Sequence, residues 1–363
     1  MNPSEYQAIG DPQRWREQPL PVTGLFLCYQ QVRFVGEALD GALSQTVPMQ
    51  LIVSDDGSSD GTAEVLVDRL RDYRGPHQVL LRVGHPNLGL VPHLNRLMER
   101  AEGELIVLFA GDDISYPNRV ARLAEEYHTD STVQVVGSLY TPIHADGSPH
   151  PEPTPPCPDC AFGLIDYLGM KNFVWMAGAT MSFRTRLAVI FGALPETLWA
   201  EDNIIVLRGL LLGKDRILKD KLIRYRVVNW SLGRNQLRYG EDLASVIATH
   251  SLGYRRLRGH ADTLAKDIVL AGSWSGIDAN ALRVLQRRHE EVWRGGEELH
   301  RAVALFPRRN WIVPALKAVY SRAWRRPGLR VLLIALWPAL FFWLKAVRHR
   351  GERVRPAPEI EPR

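Results

Sequence analysis

The strongest constraint in this chain is an alternation. Between residues 22 and 109, short apolar runs take turns with amphipathic helical spacing, and two of the runs lead into carboxylates. The runs at 22–28, 49–53, 79–83 and 104–109 have the length of strands. Helical spacing follows the first three, through Phe34, Ala38 and Leu43, then Val65, Leu66 and Leu70, then 90–101. Such an alternation predicts an α/β domain built on a mostly parallel sheet flanked by helices. Ligands of these sheets sit beyond the carboxyl ends of the strands. The acidic string 54–62 and the pair Asp112-Asp113 should therefore border one crevice.

Further along, 183–191 and 201–212 predict helices, 217–227 a strand, and 241–305 a helical region. The Pro- and Gly-rich stretch 141–158 predicts a loop or lid, and residues 1–20 an irregular lead-in. The expected divisions are 1–20 lead-in, 21–235 α/β domain, 236–308 helical region and 309–363 basic tail.

A length of 363 residues, 45% of them hydrophobic, suffices for one large α/β domain and a smaller appendage. Three cysteines are too few for a disulfide framework. Residues 2–18 lack an apolar run of signal-peptide type, so a reducing, cytosolic compartment is expected. The net charge of +5 divides unevenly: −6 over the first 300 residues and +11 over 301–363. A basic tail calls for an anionic partner.

Three clusters carry chemistry. In 54–62, carboxylates at a strand end suit the imide N–H of a pyrimidine and ribose hydroxyls, while Gly57 and Gly61 permit sharp turns. A calcium loop fits Asp56, Ser58, Asp60 and Gly61 but puts Val67 where a bidentate Glu is needed. Asp60 and Thr62 also suit plain helix capping. Asp112 and Asp113 would repel each other unless a cation or donor lies beside them. A divalent ion there would serve a departing diphosphate; the plainer alternative is an acidic helix start before Pro117. Glu201-Asp202 opens a helix, where acids are commonplace.

In order and spacing, residues 22–62, Asn87-Leu88-Gly89 with Asn95, Gly103-Glu104, and Gly111-Asp112-Asp113 resemble the family 2 glycosyltransferases of the GT-A fold. Gly178-Ala179-Thr180-Met181, residues 191–195, Glu201-Asp202 and Leu222-Ile223-Arg224-Tyr225-Arg226 continue the resemblance to about residue 230. It implies a Rossmann-like domain taking a nucleotide-diphosphate sugar, with UDP the family default. Asp56, with Asp55 nearby, would contact the nucleotide, and the backbone at Leu27-Cys28-Tyr29 would line the base pocket. Asp112 would take the metal-binding place of the D-x-D element, with Asp113 beside it and Mg or Mn as the ion. Asp202 would be the general base of a single, inverting displacement onto a hydroxyl. Glu201 and Arg226 are candidates for acceptor or phosphate contact. For Arg224 and Arg226, pairing of a strand edge with surface acids fits equally.

The pattern departs from the family at Ala110, which replaces the first Asp of D-x-D, and at Val228, which replaces a His of some members. The Q-x-x-R-W element of processive synthases is missing at 236–239, which implies one sugar per encounter. A catalytically inactive nucleotide-sugar-binding scaffold of a membrane assembly is the alternative. Cys157 and Cys160 are expected as free thiols in a lid; with His144 and His150 they would instead make a zinc loop. His85 and His93 are expected on a loop and a helix surface.

In the tail, 331–344 is fourteen uncharged residues, about 21 Å as a helix and short of a ~30 Å hydrocarbon core. Basic residues flank both sides, which predicts a monotopic or re-entrant anchor at the cytoplasmic face. The stretch 311–324 predicts an in-plane amphipathic helix, or else a core helix. Uninterrupted apolar residues do not suit nucleic acid. A membrane site would suit a lipid-linked glycan or another cell-envelope acceptor.

Overall fold

The apolar runs fold as parallel strands covered on both faces, which is why they read as nearly continuous hydrophobic stretches. The computed structural model describes residues 5–10, 14–152, 157, 159–169, 176–196, 198, 201–227, 259–274 and 276–305. The strands are β1 (Gln7–Ile9), β2 (Val22–Cys28), β3 (Gln50–Asp55), β4 (Gln78–Arg82), β5 (Leu105–Ala110), β6 (Ile114–Ser115), β7 (Val133–Ile143), β8 (Cys160–Gly163), β9 (Met181–Arg184) and β10 (Lys214–Arg226). They form one sheet in the order β1-β4-β3-β2-β5-β9-β7-β10-β6, with β8 paired to β10. The pairs β2–β3, β2–β5, β3–β4 and β7–β10 are parallel; β9 is antiparallel to both neighbours.

Alternate strand residues face opposite layers. Phe26, Val53, Val107 and Phe109 pack with α1 (Val35–Leu43), α2 (Thr62–Leu70) and α4 (Arg119–Thr129). Leu25, Ile52, Ile106 and Leu108 pack with α3 (Leu90–Met98), α5 (Leu164–Gly169), α6 (Arg186–Phe191), α7 (Asp202–Leu212) and α8 (259–271). The last helix is α9 (Ala279–Leu305). The chain divides into two compact units, 1–234 with 262–285, and 235–261 with 286–363. The second is helical where described, over 259–261 and 286–305. No helix among the described residues is long and apolar enough to cross a membrane. The segments 311–324 and 331–344 lie outside the described residues, as do 228–258.

Three expectations need correction. Residues 183–191 are not one helix: β9 runs to Arg184, and α6 starts at Arg186. Apolar residues around a strand–helix junction imitate helical spacing. The lead-in contains β1, which pairs antiparallel with β4 through Gln7 and Leu81. His93 is buried, with Nε2 2.7 Å from Ser54 Oγ, and burial depresses its pKa to about 3.

Asp215 on β10 is fully buried, and among the described residues neither carboxyl oxygen accepts a hydrogen bond of normal geometry, the Val135 N–H being the donor beside it. Burial raises its pKa well above the ordinary value, and the nearby Val135 N–H offsets this only in part. A raised folded pKa gives stability below the unfolded value near 4, which is lost as pH rises through the folded value. Asp215→Asn removes that loss. Urea midpoints at pH 5 and pH 8 should differ less in the variant than in wild type, with the variant at least as stable at pH 8.

Candidate active site

Strand order locates a crevice. From β2 the chain steps outward through β3 and β4, then returns to place β5 on the other side of β2. Loops leaving the carboxyl ends of β2 and β5 diverge there, making a ligand cleft at the switch point. Cys28 pairs with Asp55, and Leu27 with Ala110, so three strand ends stand level. Gly111 N–H donates to Leu27 O at 2.9 Å, and a Cβ on Gly111 would overlap Cys28 Cβ and Gln31 Oε1. Only glycine lets these two loops approach so closely.

The acidic string is largely occupied in building its own loop. Asp55 is buried and accepts from Ser58 N–H at 2.9 Å and Ser58 Oγ at 2.5 Å. Cys28 Sγ, also buried, lies 3.9 Å from Asp55 Oδ1. Asp56 accepts from Leu88 N–H at 2.9 Å, Gly89 N–H at 2.8 Å and Asn87 Nδ2 at 3.1 Å. Burial raises the Asp56 pKa, while those two amide donors and Arg82 oppose the rise. Asn87-Leu88-Gly89 is thus held to the carboxylate that the sequence suggested for the nucleotide. The loop after β2 is laced across the string by Gln30 N–H to Ser58 Oγ (2.8 Å), Gln31 N–H to Thr62 Oγ1 (2.8 Å) and Val32 N–H to Asp60 Oδ2 (3.0 Å). Tyr29 stands at its mouth, 48% exposed. Removing the Asp56 carboxylate orphans two backbone donors, and hydrogen bonds to a charged group contribute about 1.5–3 kcal/mol. Asp56→Ala should lose stability on that scale in urea denaturation.

Beyond β5, Asp112 is partly exposed and Asp113 buried. Burial pushes both carboxyls up, Asp113 the further because Asp112 lies beside it. Arg226 at the end of β10 organises this corner. Its N–H donates to Asp113 Oδ1 at 2.7 Å and its Nε to Asp112 O at 2.9 Å. Nη1 reaches His144 O and Ala145 O at 3.2 and 2.6 Å, Nη2 reaches Glu37 Oε2 at 3.0 Å, and the guanidinium covers the Phe34 ring. Arg226 therefore spends its donors on protein groups, while Arg224 donates to Gly147 O at 2.7 Å.

The pair Asp112-Asp113 fits a hard divalent cation, because neighbouring carboxylates raised by burial and mutual repulsion are relieved by positive charge. Asp113 is buried with one oxygen on the Arg226 N–H, so the partly exposed Asp112 is the more accessible ligand. Among the described residues no three His, Cys, Asp or Glu side chains form a metal cluster. Donor phosphates and water would complete the coordination.

Asp202 and Glu201 are buried at the start of α7. Asp202 Oδ1 accepts from Asn203 N–H at 2.7 Å. Burial, reinforced by Asp202, raises Glu201 to about 7. Glu201 is packed on Gly178, where a Cβ would overlap Oε1. The loop carrying Gly178 is tied to β5 through buried Arg119, whose Nη2 donates to both Leu108 O and Ala179 O at 2.8 Å. Tyr225 directly precedes Arg226, whose N–H donates to Asp113 Oδ1, so it adjoins the Asp112-Asp113 corner. Burial raises its pKa, and the charges of Asp113, Asp112 and Asp202 add to the rise. Tyr225 carries no role in the sequence reading; its place between Arg224 and Arg226 in the last strand motif was the available signal.

Residues 26–185 match the description Glycosyl transferase family 2. Those residues form a family 2 glycosyltransferase domain. An uncharacterized glycosyltransferase of Nostoc sp., alr2836, is 23% identical over 205 residues, spanning 55% of this chain and 62% of that one. The uncharacterized protein Rv1520 of Mycobacterium tuberculosis is 25% identical over 208 residues, spanning 55% and 57%. The chain thus spans about three fifths of the length of these curated relatives. Among solved structures, S. aureus TarS 1-349 in complex with UDP-GlcNAc superposes with TM-score 0.50 at 15% identity, over 83% of this chain and 91% of that one. The superposition supports a GT-A fold for the glycosyltransferase domain. Other motifs also acquire physical reasons within this domain. Asn95 clamps Leu194 through paired hydrogen bonds of 2.6 and 2.9 Å. Cys157 and Cys160 are free thiols.

Proposed function

We propose that the chain transfers one sugar from a nucleotide-diphosphate donor, UDP-linked by family default, to a hydroxyl acceptor by a single inverting displacement. The observation that carries this reading is the level ends of β2, β3 and β5, where Cys28 pairs with Asp55 and Leu27 with Ala110, so that Asp55-Asp56 and Asp112-Asp113 leave the sheet at one edge. The adjacent ends of β2 and β3, with Cys28 and Tyr29 on one and Asp55 and Asp56 on the other, hold the nucleotide, Tyr29 offering an exposed ring to the base. Asp112, with Asp113 behind it, holds Mg or Mn. Such an ion would neutralise charge developing on the departing diphosphate. Asp202, in the first turn of α7, takes the acceptor proton. Arg226 fixes the Asp112-Asp113 corner and the turn at 144–145. Glu201 borders the acceptor side.

The acceptor is a glycan, lipid-linked or of the cell envelope, reached at the cytoplasmic face of a membrane. Support for that location is the +11 charge of 301–363 and the apolar run 331–344. To test the reaction, the full chain is incubated with UDP- and GDP-hexoses in MnCl2 or EDTA, and nucleotide diphosphate release is measured. Release from one donor class, abolished by EDTA, is expected. Metal-dependent nucleotide binding without turnover, with any acceptor, would favour the inactive scaffold suggested by Ala110.

A further inference from the structure

We propose that Tyr140 and Tyr225 form a platform for a pyranose ring of the acceptor. The inference rests on the proposed glycosyl transfer and names the acceptor chemistry at the same site. On the parallel ladder of β7 and β10, Tyr140 stands opposite Ile223, two residues before Tyr225, so both tyrosines share a sheet face. Their ring centroids are 4.8 Å apart with planes tilted by 41°, and both rings are partly exposed. Arg224 and Arg226 alternate with Tyr225 along the strand, and their guanidinium groups bind the 144–147 turn.

Chemistry around the rings selects the ligand. Tyr225 directly precedes Arg226, whose N–H donates to Asp113 Oδ1 at 2.7 Å, so the ring pair adjoins the Asp112-Asp113 carboxylates. A pyranose presents an apolar C–H face to aromatic rings and a rim of hydroxyls that donate to carboxylates. An anionic group, such as the phosphate of a polyol phosphate, would face like charge there. The platform thus adjoins the proposed metal ligand, where an acceptor ring would rest with a hydroxyl toward the anomeric carbon. A donor hexosyl ring shares the same chemistry, and the experiment separates the two sources.

Saturation-transfer NMR on the full chain uses methyl hexopyranosides, ribitol phosphate and UDP as separate probes, with UDP and diamagnetic MgCl2 then added to the pyranoside samples. The expected result is saturation of C–H protons on at least one methyl pyranoside, undiminished when UDP and Mg fill the donor side, and none on ribitol phosphate. Tyr140→Leu and Tyr225→Leu should each weaken pyranoside binding at least tenfold, whereas Tyr140→Phe and Tyr225→Phe retain it. UDP binding to the same samples checks folding and reports separately on the donor site. If wild type gives no pyranoside signal, if the Leu variants bind as wild type does, or if ribitol phosphate binds equally, the platform is overturned. A pyranoside signal displaced by UDP-hexose but not by UDP would assign the ring site to the donor and also overturn the proposal.

Discussion

Asp202→Asn should lower kcat by about 10²–10⁴-fold, the usual contribution of a positioned general base. The amide keeps the size of the carboxylate and can still accept the Asn203 N–H, so α7 retains its first turn. Affinity for UDP in MnCl2 should stay within about twofold of wild type. The rate is read as nucleotide diphosphate release under initial-velocity conditions with saturating donor. A variant that keeps its rate within threefold would contradict the assignment. The base would then be sought in Glu201, which burial brings to about 7 and which adjoins Asp202.

The second large effect concerns how α7 is held. Arg208 lies six residues beyond Asp202 on that helix, and its Nε donates to Asp267 Oδ2 of α8 at 2.9 Å. Both side chains are buried, at 5% and 8% exposure, so neither charge is screened by water. Nη1 and Nη2 also reach Gly192 O and Phe191 O at 2.9 and 3.4 Å. Burial raises the Asp267 pKa while Arg208 pulls it down. Asp267→Ala leaves a buried guanidinium with two carbonyls and no counter-charge, which costs about 3–5 kcal/mol. Urea denaturation should show this as a lower midpoint with unchanged slope. Arg208→Met with Asp267→Leu should recover most of the loss, since a buried pair is often replaceable by apolar groups of similar volume. A loss below about 1 kcal/mol in the single variant would mean that water reaches Arg208.

Much of the first half of the fold was legible because parallel strands buried on both faces leave uninterrupted apolar runs. The runs at 22–28, 49–53, 79–83 and 104–109 became β2 to β5 with shifts of a residue or two. Less legible were α4 and β7: α4 carries buried Arg119 and Glu126, which mask an apolar stripe, and β7 includes Gln134, Gly137 and Ser138. The carboxylates of the site could be picked out, but their partners could not. Asp56 drew attention as a ligand contact, whereas its oxygens are engaged by Asn87, Leu88 and Gly89 across a second loop. Arg226 carried a charge suited to phosphate, yet its surroundings are Asp112, His144, Ala145 and Glu37, drawn from three distant segments. Such engagement depends on strand order, which no local pattern encodes.

The most direct measurement is a crystal structure of the full chain grown with UDP and MnCl2. The diphosphate should lie beyond the switch between β2 and β5, with manganese on an Asp112 oxygen and the Asp202 carboxylate facing the same cleft. A nucleotide bound away from that cleft, or metal held without Asp112, would contradict the account.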